Sequence, residues 1–372
     1  MMEIKETENK PKKTQKWHIV IIMIFIFVLS VLSWKASYVS VRNALRCGDE
    51  NKGPDEVKEI LESEWTVYGK GNFSKADTIW TYYVMHEIPS VQVILGTNGW
   101  LFYKSVNDGD CVADYEGTNL FTEDELTDIT ARAISVQNIF AEKGMDFIIF
   151  IPPNKGQVYP EYVPDTYVQA KESRADILAD TLNEAGVTVI SPKENLISAK
   201  ENGYQLYYSY DTHWNLLGGY IGTQAILNEL DIEPCPSVTV SETMLRDGYH
   251  YGADEDLARM AGLRFLFNDY TEYLIDETLI TDWAAYADDQ NNGRPSYYQN
   301  DSALCDKTVV LIGDSFRSAM VPSLRQAFAG VYIIDIESYD VNIIDEICPD
   351  IVIYEFVERK VGDIKTIDLI GY

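Results

Sequence analysis

Histidine is scarce in this 372-residue sequence: there are four, and His18 lies inside its longest apolar run. Imidazole chemistry outside that run therefore falls to His86, His213 or His250. Cysteine is almost as rare, with five widely separated residues (Cys47, Cys111, Cys235, Cys305 and Cys348) and no Cys-x-x-Cys pair. That argues against zinc-ribbon and iron–sulfur frameworks, and the odd count leaves at least one thiol unpaired within the chain. No glycine-rich phosphate loop is present, so neither a cofactor nor a metal is expected. Positive charge is short as well. Thirty Lys and Arg face 59 Asp and Glu, a net charge of −29 with no basic stripe, which excludes nucleic acid as the main partner. Internal repeats and low-complexity tracts are missing, so the chain is neither a solenoid nor a disordered polymer.

What is present is globular in composition, 46% hydrophobic and 24% charged, with 25 Tyr. Tyr joins an apolar ring to a hydroxyl and suits flat polar ligands such as sugars, although it is also common in the outer layers of extracellular domains. Residues 17–34 carry no charge and have a core of Ile, Val, Phe, Leu and Met bounded by Trp17 and Trp34. A helix of that length reaches about 27 Å, enough for one membrane crossing. Lys10, Lys12, Lys13 and Lys16 precede it, which predicts a cytoplasmic tail at 1–16, an anchor at 17–34 and an extracytoplasmic body. A cleaved signal peptide is the competing reading. The bulky residues around Trp34 do not resemble a cleavage site, which favours a retained single-pass anchor in the cell membrane.

Residues 35–89 read as a polar stalk and lead-in segment, and residues 90–372 as the functional domain. Two apolar runs around Gly96-Thr97-Asn98-Gly99 predict a hairpin. A capping box at Thr122-Glu123-Asp124-Glu125 opens a helix that runs to Gly144. Continuous apolar runs at 145–151, 187–190, 307–312, 331–336 and 351–356 then alternate with helical patterns at 174–185, 216–230, 316–328 and 342–347. This predicts an α/β fold, a three-layer sandwich around a mainly parallel sheet, with ligands at the carboxyl ends of the strands. The acidic, Tyr-rich stretch 236–304 breaks the alternation and reads as an irregular insertion that covers or flanks a site.

Two segments carry chemistry. The strand 308–312 ends in Gly313-Asp314-Ser315-Phe316 and turns into a helix, which sets a Ser hydroxyl where backbone N–H groups can stabilise an oxyanion. Tyr210-Asp211-Thr212-His213-Trp214-Asn215 precedes the apolar helix 216–230, and Asp211 can fix the tautomer of His213. Each segment alone could be an ordinary helix cap. Together they supply a nucleophile, a base and an orienter.

The Asp211-Thr212-His213-Trp214-Asn215 stretch, followed about a hundred residues later by strand-Gly313-Asp314-Ser315-Phe316, resembles the SGNH hydrolase-like alginate O-acetyltransferases of the AlgX and AlgJ type. It is most similar to the bacterial membrane-anchored DHHW proteins. Gly96 to Phe102, Pro152-Pro153-Asn154-Lys155 with Tyr159-Pro160, and Glu355-Phe356-Val357-Glu358-Arg359 match in the same order, so the resemblance covers about residues 90–362. It departs at Thr212, where the namesake motif has His. The resemblance implies an acyl-serine mechanism with Ser315 as nucleophile, His213 as general base and Asp211 as its orienter, in an order permuted relative to ordinary SGNH esterases. Ser315 N–H and Asn154 are the candidate oxyanion donors. Lys155, Trp214 and Arg317 are candidate substrate contacts, with Trp214 equally suited to packing behind His213. Arg359 is expected to pair with Glu355 or Glu358. The implied activity is acetyl transfer to hydroxyls of a surface polysaccharide or wall polymer, with a multi-pass membrane acyltransferase as partner and acyl donor. A carbohydrate esterase or a polysaccharide-binding scaffold would use the same fold.

Overall fold

The computed structural model describes residues 20–28, 30–31, 77–88, 90–104, 107–235, 242–244, 255–264, 271–273, 283–286, 295–337 and 342–365. It divides into two compact units, Met1–Pro89 and Ser90–Tyr372. In the first, residues 20–28 are helical, and a helical stretch at 77–80 continues into a π turn at Thr81–Met85. No helix among the described residues is long and apolar enough to cross a membrane. Most of the stalk expected at 35–89, the expected cytoplasmic tail and part of the anchor lie outside the described residues.

The second unit opens with the expected hairpin, β1 (Val93–Leu95) paired antiparallel with β2 (Leu101–Tyr103). Its turn is a short helical loop in which Asn98 and Gly99 both take positive φ, a conformation these two residues accept at least cost. β3 (Asp146–Phe150) and β4 (Val189–Ile190) follow, then an antiparallel pair β5 (Glu242–Met244) and β6 (Thr271–Tyr273) that stands apart. β7 (Trp283–Tyr286), β8 (Ser296–Asn300), β9 (Cys305–Gly313), β10 (Phe328–Asp335) and β11 (Ile351–Glu355) complete the strands. The main sheet has seven strands in the order β4-β3-β11-β9-β10-β8-β7. The first five are mutually parallel, and β8 and β7 extend one edge antiparallel.

Strand residues alternate between two cores, as the period of two requires. Ile148, Phe150, Val309, Leu311, Ile351 and Ile353 face one side; Phe147, Ile149, Val310, Ile312, Val352 and Tyr354 face the other. On the second side lie α1 (Glu123–Glu142) and α2 (Arg174–Glu184), both opened by capping boxes. On the first side lie α3 (Lys193–Glu201) through Leu196, α4 (Leu216–Glu229), and α5 (Val321–Ala327), while α6 (Asn342–Ile347) returns to the second. This is the three-layer α/β sandwich that the alternation of runs predicts.

Two expectations need correction. The stretch 236–304 supplies two strands to the main sheet and a short helix, Asp256–Met260, that packs by the site, so it is more than an irregular cover. The helix expected over 316–328 is divided: a 3-10 segment, Ser315–Ala319, precedes α5, and Pro322 sits in the first turn of α5, where its missing N–H is not needed.

Candidate active site

The sheet order explains how distant motifs meet. β3, β11 and β9 are neighbours, so the segments after them (152–155, 356–359 and 313–316) emerge side by side at one rim. Asn154 N–H donates to Glu358 Oε2 at 2.7 Å, and Val357 N–H donates to Asp314 Oδ2 at 2.8 Å, which ties the three loops together. The loop before α4 crosses the same rim, closed by an isolated bridge between Tyr207 and Trp214. Asn215 then caps α4 by accepting from Gly218 N–H at 3.0 Å.

Here the three residues expected to act together converge. His213 Nδ1 lies 2.6 Å from Asp211 Oδ1, and His213 Nε2 lies 2.7 Å from Ser315 Oγ, although 102 residues separate His213 from Ser315. Asp211 Oδ1 also accepts the His213 N–H at 2.8 Å; because an ionised carboxylate can only accept, its pairing with Nδ1 favours the tautomer with the proton there and leaves Nε2 to accept from Ser315. Burial alone would push the Asp211 carboxyl up, but the hydrogen bonds and charge of His213 and the N–H of Asp256 outweigh it and hold it below the usual range. Burial likewise works against a charged His213. The hydrogen bond and charge of Asp211, with the charge of Asp256, overcome that and raise it above its ordinary value.

Ser315 sits on a turn built by its neighbours. Asp314 accepts from Phe316 N–H at 2.8 Å, and an ideal Cβ on Gly313 would fall 2.2 Å from Glu355 Oε2, so only glycine fits there without a shift. Trp214 Nε1 donates to Phe316 O at 2.8 Å, and an ideal Cβ on Gly219 would meet Ala319 O at 2.2 Å; α4 therefore lies hard against the Ser315 turn. Glu355 is fully buried behind the elbow, and burial together with the neighbouring Asp314 raises its carboxyl well above the ordinary range.

The remaining candidates are placed as follows. Asn154 is buried, and its side-chain Nδ2 has no partner, which suits an unused donor at the rim. It shares with Thr212 and Arg359 a mainly apolar cavity of about 40 Å³ walled by Ile94, Phe102 and Val112. Lys155 lines the same cavity, and its Nζ donates to the carbonyls of Tyr208, Ser209 and Asp211 at 3.0, 3.2 and 2.7 Å and lies over the Phe102 ring. Burial lowers its pKa to about 7, against the pull of Asp211 and Asp256. Trp214 is 0% exposed and its ring packs against Phe150 and Phe316, the latter also in contact with the His213 ring, which fits the packing role of the two expected. Arg317 folds back on its own turn, donating to Gly313 O and Asp314 O and pairing with Asp335. Arg359 pairs with Asp108 and lies between the Tyr103 and Phe316 rings, not against Glu355 or Glu358. Glu358 instead holds Asn154 and Gln157.

Sequence reasoning missed Asp256. It stands in an acidic run, Asp254-Glu255-Asp256, where no spacing distinguishes one carboxylate from the next. Among the described residues, Asp211, His213 and Asp256 offer possible ligand atoms within 4.8 Å of one another, but those atoms are engaged in the hydrogen bonds above and in others from Thr212. Cys111, Cys235, Cys305 and Cys348 are free thiols, and Cys47 lies outside the described residues.

Comparison with known proteins gives three findings. Residues 93–332, nearly two thirds of the chain, match the family described as "SGNH hydrolase-like domain, acetyltransferase AlgX". The probable alginate O-acetylase AlgJ of Pseudomonas aeruginosa is 26% identical over 179 residues, 48% of this chain and 43% of that protein, so the match spans less than half of the relative. Among solved structures, Bacillus cereus PatB1 with a sulfonyl adduct superposes with a TM-score of 0.51 at 16% identity, over 72% of this chain and 94% of PatB1. A DHHW family protein from Eubacterium siraeum gives a TM-score of 0.45 at 17% identity, over 72% and 94%.

Proposed function

Because this chain belongs to the SGNH hydrolase-like family of AlgX-type acetyltransferases, we propose that it is an extracytoplasmic O-acetyltransferase that modifies hydroxyls of a cell-surface polysaccharide or wall polymer. The observation that carries this reading is the continuous relay from Asp211 through His213 to Ser315 Oγ, at 2.6 and 2.7 Å, inside the family-matched region.

In this reading Ser315 Oγ attacks the donor's acyl carbonyl while its proton moves to His213 Nε2. The tetrahedral intermediate collapses, the donor's leaving oxygen takes that proton, and an acyl-serine remains. An acceptor hydroxyl then gives its proton to Nε2 and attacks the ester carbonyl. The second collapse breaks the Oγ–acyl bond and returns the proton to Ser315. Asp211 holds the imidazole in one tautomer and stabilises the imidazolium in both halves. The Ser315 N–H and the unpartnered Asn154 Nδ2 are the proposed oxyanion donors, a function in which one donor is worth roughly 3 kcal/mol.

The polymer class is supported by the relative's name, an alginate O-acetylase. No nucleotide-binding glycine loop is present in the sequence, and the resemblance to AlgX- and AlgJ-type proteins implies a multi-pass membrane acyltransferase as the proposed source of the acyl group. The uncharged run 17–34 after four Lys supports a single-pass anchor with a cytoplasmic tail. Two experiments test the reading. Polymer-bound acetyl measured in cells complemented with Ser315→Ala should fall to background at normal expression, and normal acetylation would sink it; acetate released without any acceptor would point to an esterase. Protease added to intact protoplasts should digest the body, and full protection would refute the topology.

A further inference from the structure

Thr212, between the orienter and the base, is fastened at both of its donors by one carboxylate. Its N–H donates to Asp256 Oδ1 at 2.8 Å and its hydroxyl to Asp256 Oδ2 at 2.5 Å. The Asp256 N–H in turn donates at 3.0 Å to Asp211 Oδ2, the oxygen that His213 does not use. The contact is therefore reciprocal. The backbone of Asp256 holds the side chain of Asp211, and the side chain of Asp256 holds the residue that follows it. Ala258 N–H adds a bond to Tyr210 O at 3.0 Å, so the segment docks along residues 210–212. A salt bridge from Arg264 to Glu255 at 2.8 Å braces its entry, where Glu255 has a φ of 49°.

We infer that Asp256 is a positioning residue for the Asp211–His213–Ser315 relay and that Thr212 is the handle by which it grips the loop. The inference rests on the reading in which Ser315 is the nucleophile. A carboxylate held at one oxygen can still turn about its terminal torsion, and an imidazole that follows it loses its line to the serine. Holding the second oxygen removes that freedom, and a misplacement of about 1 Å can cost on the order of 100-fold in rate. Asp256 also adds charge. The groups that face His213 are Asp211 and Asp256, which favour the imidazolium, Arg359, which opposes it, and the neutral Ser315 hydroxyl and Phe316 ring. Removing the charge of Asp256 should therefore make His213 less basic.

The test uses the purified full-length protein and phenylmethanesulfonyl fluoride, which needs neither the natural donor nor the acceptor. Ser315 Oγ forms a bond to sulfur as the S–F bond breaks, fluoride leaves, and the serine proton passes to His213. The adduct is counted by intact mass across pH. Ser315→Ala should take none. Asp256→Ala should label about 10- to 100-fold more slowly than the parent and Thr212→Val about tenfold. Asp256→Asn keeps the shape and the backbone N–H, and its labelling midpoint should move to lower pH. Parent-like rates and midpoints in all three variants would overturn the inference. A slower rate that tracks a lost melting temperature, with the midpoint unmoved in Asp256→Asn, would reduce the contact to a structural one and also overturn it. If Asp256→Ala does not fold, the other two variants carry the test. A parent that takes no adduct on Ser315 overturns the nucleophile assignment itself, which is a distinct result.

Discussion

The loop that carries His213 and the elbow that carries Ser315 meet at a single hydrogen bond of 2.7 Å, yet different physics holds each in place. The elbow is mostly self-built. β9 is fixed by parallel partners on both sides, Asp314 caps the turn it opens, and Arg317 closes back on the carbonyls of Gly313 and Asp314. The loop borrows its rigidity. Lys155 from the rim after β3 binds three of its carbonyls, Leu101 N–H from β2 binds Ser209 O at 2.9 Å, and Asp256 grips it from downstream. A serine on a strand-to-helix turn can thus be placed by a few residues of local sequence. A histidine on a loop needs partners scattered along the chain, because irregular backbone has no ladder of its own to satisfy its polar groups.

The largest effects should ignore this difference. Ser315→Ala and His213→Ala are each expected to lower acyl transfer by about 10⁴-fold or more, because in the proposed mechanism nucleophile and base act as one unit; Asp211→Ala should be as severe or somewhat milder. Turnover of p-nitrophenyl acetate, with melting temperature as control, checks this, and substantial turnover by a stable Ser315→Ala protein would refute the relay.

Lys155→Met separates the two regions. Three carbonyls lose a donor, at about 1 kcal/mol each, but the cost of burying the ammonium is relieved at the same time, so a net loss of at most about 3 kcal/mol is expected, largest at high pH. kcat should fall while KM stays near the parent value; a raised KM with unchanged stability would mean that Lys155 touches substrate after all. The pH dependence gives a second reading. With its pKa at about 7 when folded and its ordinary 10.5 when unfolded, the unfolded chain holds more protons between those values, so Lys155 makes stability rise with pH across that window. Lys155→Met should flatten that slope in denaturant titrations. Gly219→Ala should come next, at about 1 to 3 kcal/mol, since its Cβ would push α4 off the Ser315 turn. Its activity should fall further than its stability does.

What the sequence disclosed follows the same division. The runs that became β3, β9 and β11 were readable because strands buried on both faces are continuously apolar, and the Thr122 capping box marks the start of α1. Gly313-Asp314-Ser315 and Asp211-x-His213 were readable because each pairs its chemistry with a local structural signal. The antiparallel strands β7 and β8 were not: β8 reads Ser-Tyr-Tyr-Gln-Asn, a polar string that becomes a strand only by pairing with β10 on one side and β7 on the other. α3 also escaped, having a single fully buried residue, Leu196. Lys155 was singled out as a rare positive charge and read as a ligand contact. Its bonds to three backbone carbonyls of one loop depend on a tertiary approach that no local pattern records.

Arg317 should show the smallest effect, and it tests whether the elbow is as self-sufficient as the contrast requires. Its guanidinium spans Gly313 O, Asp314 O and Asp335, a geometry a lysine ammonium cannot reproduce at all three points. Asp335 is partly exposed, so that ion pair is worth only about 0 to 1 kcal/mol, and water can replace part of what the carbonyls lose. Arg317→Lys should therefore cost about 1 kcal/mol, a shift of roughly 2 to 4 °C in melting temperature for a body of this size, with turnover reduced less than about tenfold and KM unchanged. The elbow keeps its other supports in that variant: the Asp314 cap, the two strand ladders and the Trp214 bond to Phe316 O. If Arg317→Lys instead slowed turnover more than Lys155→Met does, the elbow would be the borrowed structure and the loop the self-built one, and the contrast would have to be reversed.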